Sequence, residues 1–281
     1  MKKMVISFEI SPIQSIQKIQ SQKKKIDQLC SFNPNYISCS ISGIKDVSFE
    51  RNLEMCRLLK LDKRTIPMTH FAIGDKKKKE LTDRLKTYVS IGIEHYFVIR
   101  GDSKYHSQRN DAFPNSFSFI KTIKKLNPDM HVSVAGYPET HILADSVKTD
   151  IKHLKLKQEF GADKIITQIC FDGYAIANWL DLCQKNDIHL PVDISILPVT
   201  NKNRILQLSF ANGISIPKEL SKIIGRYGDD PQDFKKAGID YTIKQIDALK
   251  KLGINGFHFL GGNNTSTISE VLTMASLANN N

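Results

Sequence analysis

Eight short runs rich in β-branched and aromatic residues recur along the chain, each followed by a longer amphipathic stretch. This repeat limits the fold more than any other feature. The runs are MVISFEI (4–10), YISCS (36–40), TIPMTHF (65–71), HYFVIR (95–100), HVSVAGY (131–137), KIITQICF (164–171), VDISIL (192–197) and GFHFL (256–260). Their starts lie about 30 residues apart, the length of one strand–helix unit, except for a wide gap before the last. The segments between them read as helices by length and periodicity, notably 76–90, 115–126, 140–160, 174–186 and 231–252. In 140–160, Leu143, Val147, Ile151, Leu154 and Phe160 form an apolar stripe among charges. Gly92, Gly161 and Gly253 each follow a helical stretch and precede a strand, where a left-handed C-terminal cap belongs. The wide gap holds an additional helical segment around 217–225 and a polar loop, GRYGDDPQD (225–233).

Strand–helix alternation implies parallel pairing through right-handed crossovers. Eight such units in 281 residues predict an α/β fold, a closed (β/α)8 TIM barrel, as a single domain over 1–281. The alternative is an open doubly wound sheet. Its first strand–helix turn often carries G-x-G-x-x-G, whereas this chain reads ISPIQS (10–15), and no Rossmann or Walker loop occurs anywhere.

Composition narrows the function. With 41% hydrophobic and 25% charged residues the chain is core-forming, neither disordered nor collagen-like. No apolar run approaches the roughly 18 residues of a membrane span. The start has a basic tip, but Ser7 and Glu9 interrupt its apolar stretch, which argues against a signal peptide. Five cysteines without C-x-x-C spacing fit a reducing cytoplasm and argue against structural zinc. The net charge of +11 invites a nucleic-acid partner. The lysines, however, fall in helix-like runs (23–25, 76–79, 235–236, 250–251) without interleaved aromatics or a DNA- or RNA-binding signature. They read as solvated surface, or as attraction for a small anion.

Barrel active sites lie at the C-terminal ends of the strands. The residues there are Glu9; Ser38 and Ser40; Thr69 and His70; Arg100, Gly101 and Asp102; Tyr137 and Glu139; Gln168; Pro198 and Thr200; and His258. Glu9 ends an otherwise apolar first strand, where partial desolvation would raise its pKa and suit it to general acid work; the alternative is a surface carboxylate. Arg100-Gly101-Asp102 combines an anion fork, a glycine that permits close approach and a carboxylate, as either a ligand site or a local salt bridge. His70 reads as a hydrogen-bonded histidine rather than a metal ligand. Metal-dependent hydrolysis is disfavoured, because the first strand has no H-x-H and no Asp/Glu/His triad has suitable spacing. So is a Schiff-base aldolase, because Lys164 starts its strand, Lys157 is helical and no lysine ends one. His141, Asp150, His153 and Lys157 recur at near-helical spacing, as a solvated face or as part of a site. After the last strand, GGNNTSTISE (261–270) is either a phosphate-binding helix N-terminus or a capped turn.

The ordered strand-end motifs resemble methylenetetrahydrofolate reductase, a flavoprotein barrel family of one-carbon metabolism. The matching segments are SFEISP (7–12), YISCSISG (36–43), IRGD (99–102), VSVAGYPETH (132–141), DIKHLKLKQEFGADKIITQICFD (150–172), ILPVTN (196–201) and GFHFL (256–260). Together they cover nearly the whole chain without large gaps. The resemblance implies FAD held in the barrel mouth without a Rossmann fold. It further implies reduction of the flavin by NAD(P)H, and ping-pong transfer of hydride to 5,10-methylenetetrahydrofolate to give 5-methyltetrahydrofolate. By motif position Glu9 resembles the general acid and Asp102 the carboxylate at the flavin's pyrimidine edge. Glu9, Gln168 and Arg204 fall in the folate set. The cofactor set is Ser40, His70, Arg100, Gly101, Asp102, Phe113, Pro114, Tyr137, His141, Ala144, Asp150, His153 and Lys157, with Arg100 and Lys157 answering the diphosphate. It also implies a cytoplasmic, homo-oligomeric enzyme with no nucleic-acid or membrane partner, and no regulatory extension for S-adenosylmethionine.

The chain departs from the family pattern in places. Ser40 stands for a Thr, Phe113 and Pro114 for a Tyr and a small residue, His153 for an Asn and Leu156 for an Arg. In the folate half Arg204 stands for a Gln, Leu208 for an aromatic and Asn264 for an Arg. These leave room for a related flavin barrel acting on another pterin or in the methyl-oxidising direction, or for a flavin- or folate-binding subunit of a larger reductase.

Overall fold

A computed structural model describes residues 3–13, 18–41, 46–74, 76–101 and 116–277. Its strands are β1 (Val5–Ile10), β2 (Tyr36–Cys39), β3 (Ile66–Ala72), β4 (His95–Ile99), β5 (His131–Gly136), β6 (Lys164–Thr167), β7 (Val192–Ile196) and β8 (Gly256–Phe259), one at each of the eight runs, with β3 reaching one residue past its run. They pair in chain order and close into a barrel, and the pairs with assigned register are parallel. The alternating helices are α1 (Ile19–Cys30), α2 (Asp46–Asp62), α3 (Lys78–Ser90), α4 (Ser116–Leu126), α5 (Val147–Glu159), α6 (Gly173–Lys185) and α7 (Lys202–Asn212). After α7 come α8 (Lys218–Tyr227), α9 (Pro231–Lys251) and, beyond β8, α10 (Thr265–Met274). The fold is the expected (β/α)8 barrel. Gly92, Gly161 and Gly253 have φ of 77°, 100° and 82°, the left-handed geometry that a helix-ending glycine supplies.

Two boundaries differ from the sequence reading. The helix expected over 140–160 starts only at Val147, because Ser146 Oγ accepts the Thr149 N–H (3.2 Å) and so caps the first turn there. Leu143, counted in the apolar stripe, lies in the preceding loop and is exposed. The polar loop expected over 225–233 is shorter, because Asp230 accepts the N–H groups of Gln232 (2.8 Å) and Asp233 (2.9 Å) and Pro231 opens α9.

By packing, the chain divides into two compact units, one of Ile6–Ala135 with Leu156–Ile165, the other of Met1–Val5, Gly136–Lys155 and Ile166–Asn281. In the first, alternate strand residues turn to the helices. Phe71 stacks on Phe119 with centroids 4.7 Å apart and meets Tyr88 and Tyr96 edge-on. Within this apolar layer the fully buried Asn52 of α2 donates to the carbonyls of Cys39 (2.9 Å) and Ser40 (3.0 Å). Its Oδ1 accepts from Thr69 Oγ1 (2.8 Å) and Tyr88 Oη (2.7 Å). One amide thus satisfies the end of β2 and binds it to β3 and α3.

In the second unit Ile169, Phe171, Leu197, Ile205 and Phe234 belong to one core cluster. Helix α9 supplies polar partners to the strand ends: Gln245 Nε2 donates to the Cys170 carbonyl (2.7 Å), Tyr241 Oη to that of Phe171 (2.8 Å), and Thr242 Oγ1 accepts from Val199 N (3.1 Å). Gly238 is obligatory for this approach, since a Cβ there would sit 1.9 Å from the Val199 carbonyl oxygen.

Replacing Asn52 by Leu keeps the branched shape but removes the amide that two carbonyls and two hydroxyls share. The expected loss in urea unfolding is about 3 kcal/mol, against about 1 kcal/mol for Tyr88→Phe, which removes one donor only. Equal costs for the two variants would show that the network is not held by the amide.

Candidate active site

In the first unit the sequence-selected residues at the ends of β1, β2 and β3 converge. Glu9 and Ser38 are partners in the β1–β2 register. His70 Nε2 lies 3.1 Å from Ser38 Oγ and 3.6 Å from Glu9 Oε2, and its ring meets Phe97 edge-on at 4.8 Å. The Glu9 side chain keeps 23% of its exposure, so the carboxyl is lodged in the strand ends but open to a ligand. Burial pushes the His70 pKa down from 6.5 to about 3, so the imidazole is neutral at physiological pH. The Glu9–His70 contact is therefore not an ion pair, and the ring tethers the site as a hydrogen-bonding group, as the sequence reading expected of it.

Ser40 lies just beyond β2, where its N–H (2.9 Å) and Oγ (3.2 Å) both donate to the Ile10 carbonyl and bind the two strand ends together. Arg100 is exposed, while its carbonyl accepts from Gly74 N at 2.7 Å. Gly101 has φ of 78°, and a Cβ on it would come 2.9 Å from that of Ala72, so only glycine fits between these strand ends. Lys157 is buried at 8% exposure with Nζ donating to the Ala135 carbonyl (2.7 Å). Asp102, Phe113 and Pro114 lie outside the described residues.

In the second unit Tyr137 meets the His141 ring edge-on at 4.7 Å. His141 N donates to Asp150 Oδ2 (2.9 Å), and His141 Nδ1 accepts from Leu143 N (3.0 Å). Because Nδ1 is an acceptor, the neutral ring carries its proton on Nε2. The Ala144 N–H closes a turn on the His141 carbonyl (2.7 Å), so Asp150 braces the loop that carries Tyr137, His141 and Ala144. His153 lies one turn beyond Asp150 on α5 and is half-buried. Glu139 reaches from this loop to Ser215, accepting from its N–H at 3.1 Å and from its hydroxyl.

Gln168 follows β6 directly. Its Oε1 accepts from Ile169 N (2.9 Å) and its Nε2 donates to Asn212 Oδ1 (3.2 Å). Arg204 is exposed in the first turn of α7, below the Asn201 cap. Leu208 packs against the core cluster. Asn264 caps α10 by accepting from Thr267 N (3.3 Å), so the segment after β8 is a capped turn, the plainer of the two readings from sequence.

Asn52 and Asn212, which hold the strand-end groups, escaped the sequence reading. Asn52 had one visible signal, a solitary amide in the otherwise apolar and charged helix SFERNLEMCRLL. Asn212 had none, since its partner lies 44 residues away. All five cysteines are buried free thiols. No helix among the described residues is long and apolar enough to cross a membrane.

His70 makes stability depend on pH. The unfolded chain takes up a proton below pH 6.5, whereas folded His70 resists until about pH 3. The stabilisation is thus complete above 6.5 and drains away as pH falls. His95, held near 4 by burial and by its stacking partner His131, acts in the same direction. Urea unfolding at about pH 5 should show roughly 2 kcal/mol less stability from His70 alone than at about pH 7, a difference that shrinks in His70→Gln. Equal slopes in the two proteins would show that His70 titrates normally.

Comparison with known proteins identifies the family of the chain. The methylenetetrahydrofolate reductase family model matches residues 1–276. The 5,10-methylenetetrahydrofolate reductase of Buchnera aphidicola subsp. Baizongia pistaciae is 29% identical over 92% of this chain and 86% of its own length. That of Escherichia coli strain K12 is 27% identical over 90% and 84%. Among solved structures, a Clostridium thermocellum protein that binds two copies of 5-methyl-5,6,7,8-tetrahydrofolic acid has the same fold, with TM-score 0.67 at 15% identity over 97% of this chain and 94% of that one. With the family model matched over residues 1–276 and the chain folded as a closed eight-stranded barrel, this chain belongs to the methylenetetrahydrofolate reductase family.

Proposed function

We propose that this chain reduces 5,10-methylenetetrahydrofolate to 5-methyltetrahydrofolate with NAD(P)H, by ping-pong transfer through FAD, as a single catalytic domain in a reducing cytoplasm. The observation that carries the reading is the lodging of one partly exposed carboxyl, Glu9, beside a neutral buried His70 at the strand ends, in a chain of this family. The five free thiols are consistent with the compartment.

The residues present suit FAD. An exposed guanidinium at Arg100 and the Lys157 ammonium match a diphosphate. Neutral His70 and the Ser40 hydroxyl match a ring edge that both donates and accepts hydrogen bonds. Gly101 leaves the backbone bare where a side chain would collide with Ala72. When bound, the flavin supplies a two-electron carrier between nicotinamide and folate.

The chain's own residues provide orientation and one proton. Glu9 gives its proton to the nitrogen that leaves the methylene bridge, opening the folate to the electrophilic iminium. His70, unable to take up a proton in this pH range, keeps the carboxyl in place without competing for it. The Asp150-braced loop carries Tyr137, His141 and Ala144, which contribute to the cofactor site by family position. Gln168 orients the pterin by its amide, and Arg204 meets the carboxylate end of the folate. Asp102, His153, Phe113 and Pro114 complete the cofactor set by family position.

One observation favours a second reading. Asn264 is engaged as the cap of α10 and Leu208 in the core, so neither replaces the cation and aromatic usual at those positions. A pterin with a different tail, or the methyl-oxidising direction, would suit these changes.

The test is an anaerobic visible spectrum of the purified protein, followed by NADH and then methylenetetrahydrofolate. Bleaching by NADH and recolouring by the folate are expected. Bleaching without recolouring would support the second reading, and a colourless protein that FAD does not reconstitute would overturn the cofactor assignment. In Glu9→Gln, bleaching should persist while folate turnover falls on the order of 10²-fold or more. Normal turnover in that variant would remove Glu9 from the acid role.

A further inference from the structure

We infer that Asn212, at the C-terminal end of α7, is the residue that positions Gln168 for its ligand. The inference rests on the assignment of Gln168 to the folate site.

A chain of hydrogen bonds sets the orientation of both amides from fixed backbone groups. Ile169 N can only donate, so the Gln168 atom 2.9 Å away is the carbonyl oxygen. The other end of the Gln168 amide is then NH2, and it donates to Asn212 Oδ1 at 3.2 Å. Asn212 must in turn place its own NH2 on the Leu208 carbonyl, and does so at 2.9 Å. Each link is the only arrangement in which donors meet acceptors. The orientation of Gln168 thus follows from a backbone N–H at one end and a backbone carbonyl at the other.

This leaves Gln168 with one N–H and one carbonyl lone pair outside the chain. These are a donor and an acceptor available to a ligand that carries both, such as a pterin ring. With Asn212 removed, the Nε2 end loses its only partner among these bonds and the side chain regains rotamer freedom, which binding must then remove again. The stripe is suited to its place. Arg204, Leu208 and Asn212 are spaced i, i+4 and i+8, so they share one face of α7. Asn212, at the end nearest β6, is the one that meets Gln168. Asn212 is a positioning residue, since it acts on the ligand through Gln168.

The test is a double-mutant cycle read by direct binding of 5-methyltetrahydrofolate to the oxidised protein in equilibrium dialysis. Asn212→Leu should weaken binding by about 10-fold, the worth of one hydrogen bond and its ordering. Asn212→Asp keeps the Oδ1 acceptor for Gln168 but loses the donor to the Leu208 carbonyl, and should recover only part of the affinity lost in Asn212→Leu. In a Gln168→Ala background Asn212→Leu should have no further effect on folate binding. An effect of Asn212→Leu that persists in Gln168→Ala would show a merely structural role and overturn the inference. A parent protein that binds no folate would instead overturn the assignment of Gln168, a distinct result.

Discussion

The buried amide of Asn52 is the interaction on which the first half of the site depends. A parallel strand that ends inside a protein leaves carbonyls without ladder partners, and unpaired buried carbonyls are costly. At the end of β2 those carbonyls belong to Cys39 and Ser40, and Asn52 answers both. The same side chain receives the hydroxyls of Thr69 and Tyr88, which pins β3 and α3 to the same point. Ser38 lies on the strand so held, Ser40 just beyond its end, and His70 on its neighbour. The chemistry-bearing residues point one way along these strands while the apolar and amide layer that aims them lies on the other.

Burial then decides what those residues can do. A histidine beside a carboxylate ordinarily gains a proton and forms an ion pair. Here loss of water outweighs that attraction, and His70 stays neutral to about pH 3. The carboxyl is met by a neutral, hydrogen-bonding ring rather than by a salt bridge, which suits the acid role proposed for Glu9. The same logic runs through the second unit. There Asp150 and Asn212 use side-chain oxygens to hold backbone or amide N–H groups, and so shape a loop and an amide rather than displaying charge.

The parts legible in the sequence were those written in local pattern. Short apolar runs rich in β-branched and aromatic residues marked all eight strands, length and period-3.6 patterning marked the helices between them, and three glycines marked helix ends, because these signals depend on residues a few places apart. Glu9, His70 and Gln168 could be found at strand ends because a closed barrel gathers those ends on one side. What local pattern hid was competition between a helix and its own polar side chains. The 140–146 segment carried a helical stripe, but Ser146 capped the helix later. Leu143 was left outside it, where no core residue calls for it.

The sequence by itself determined the fold class and the identity of the strand-end groups, since both follow from spacing along one chain and from motifs that match a family in order. Only the tertiary structure decided their states and partners. That His70 is neutral follows from its burial, that Gly101 has no room for a Cβ depends on Ala72, 29 residues away, and that Gln168 is held depends on Asn212, 44 residues away. Solvent exclusion and hydrogen-bond direction are set by what packs around a group, and no spacing rule carries that information.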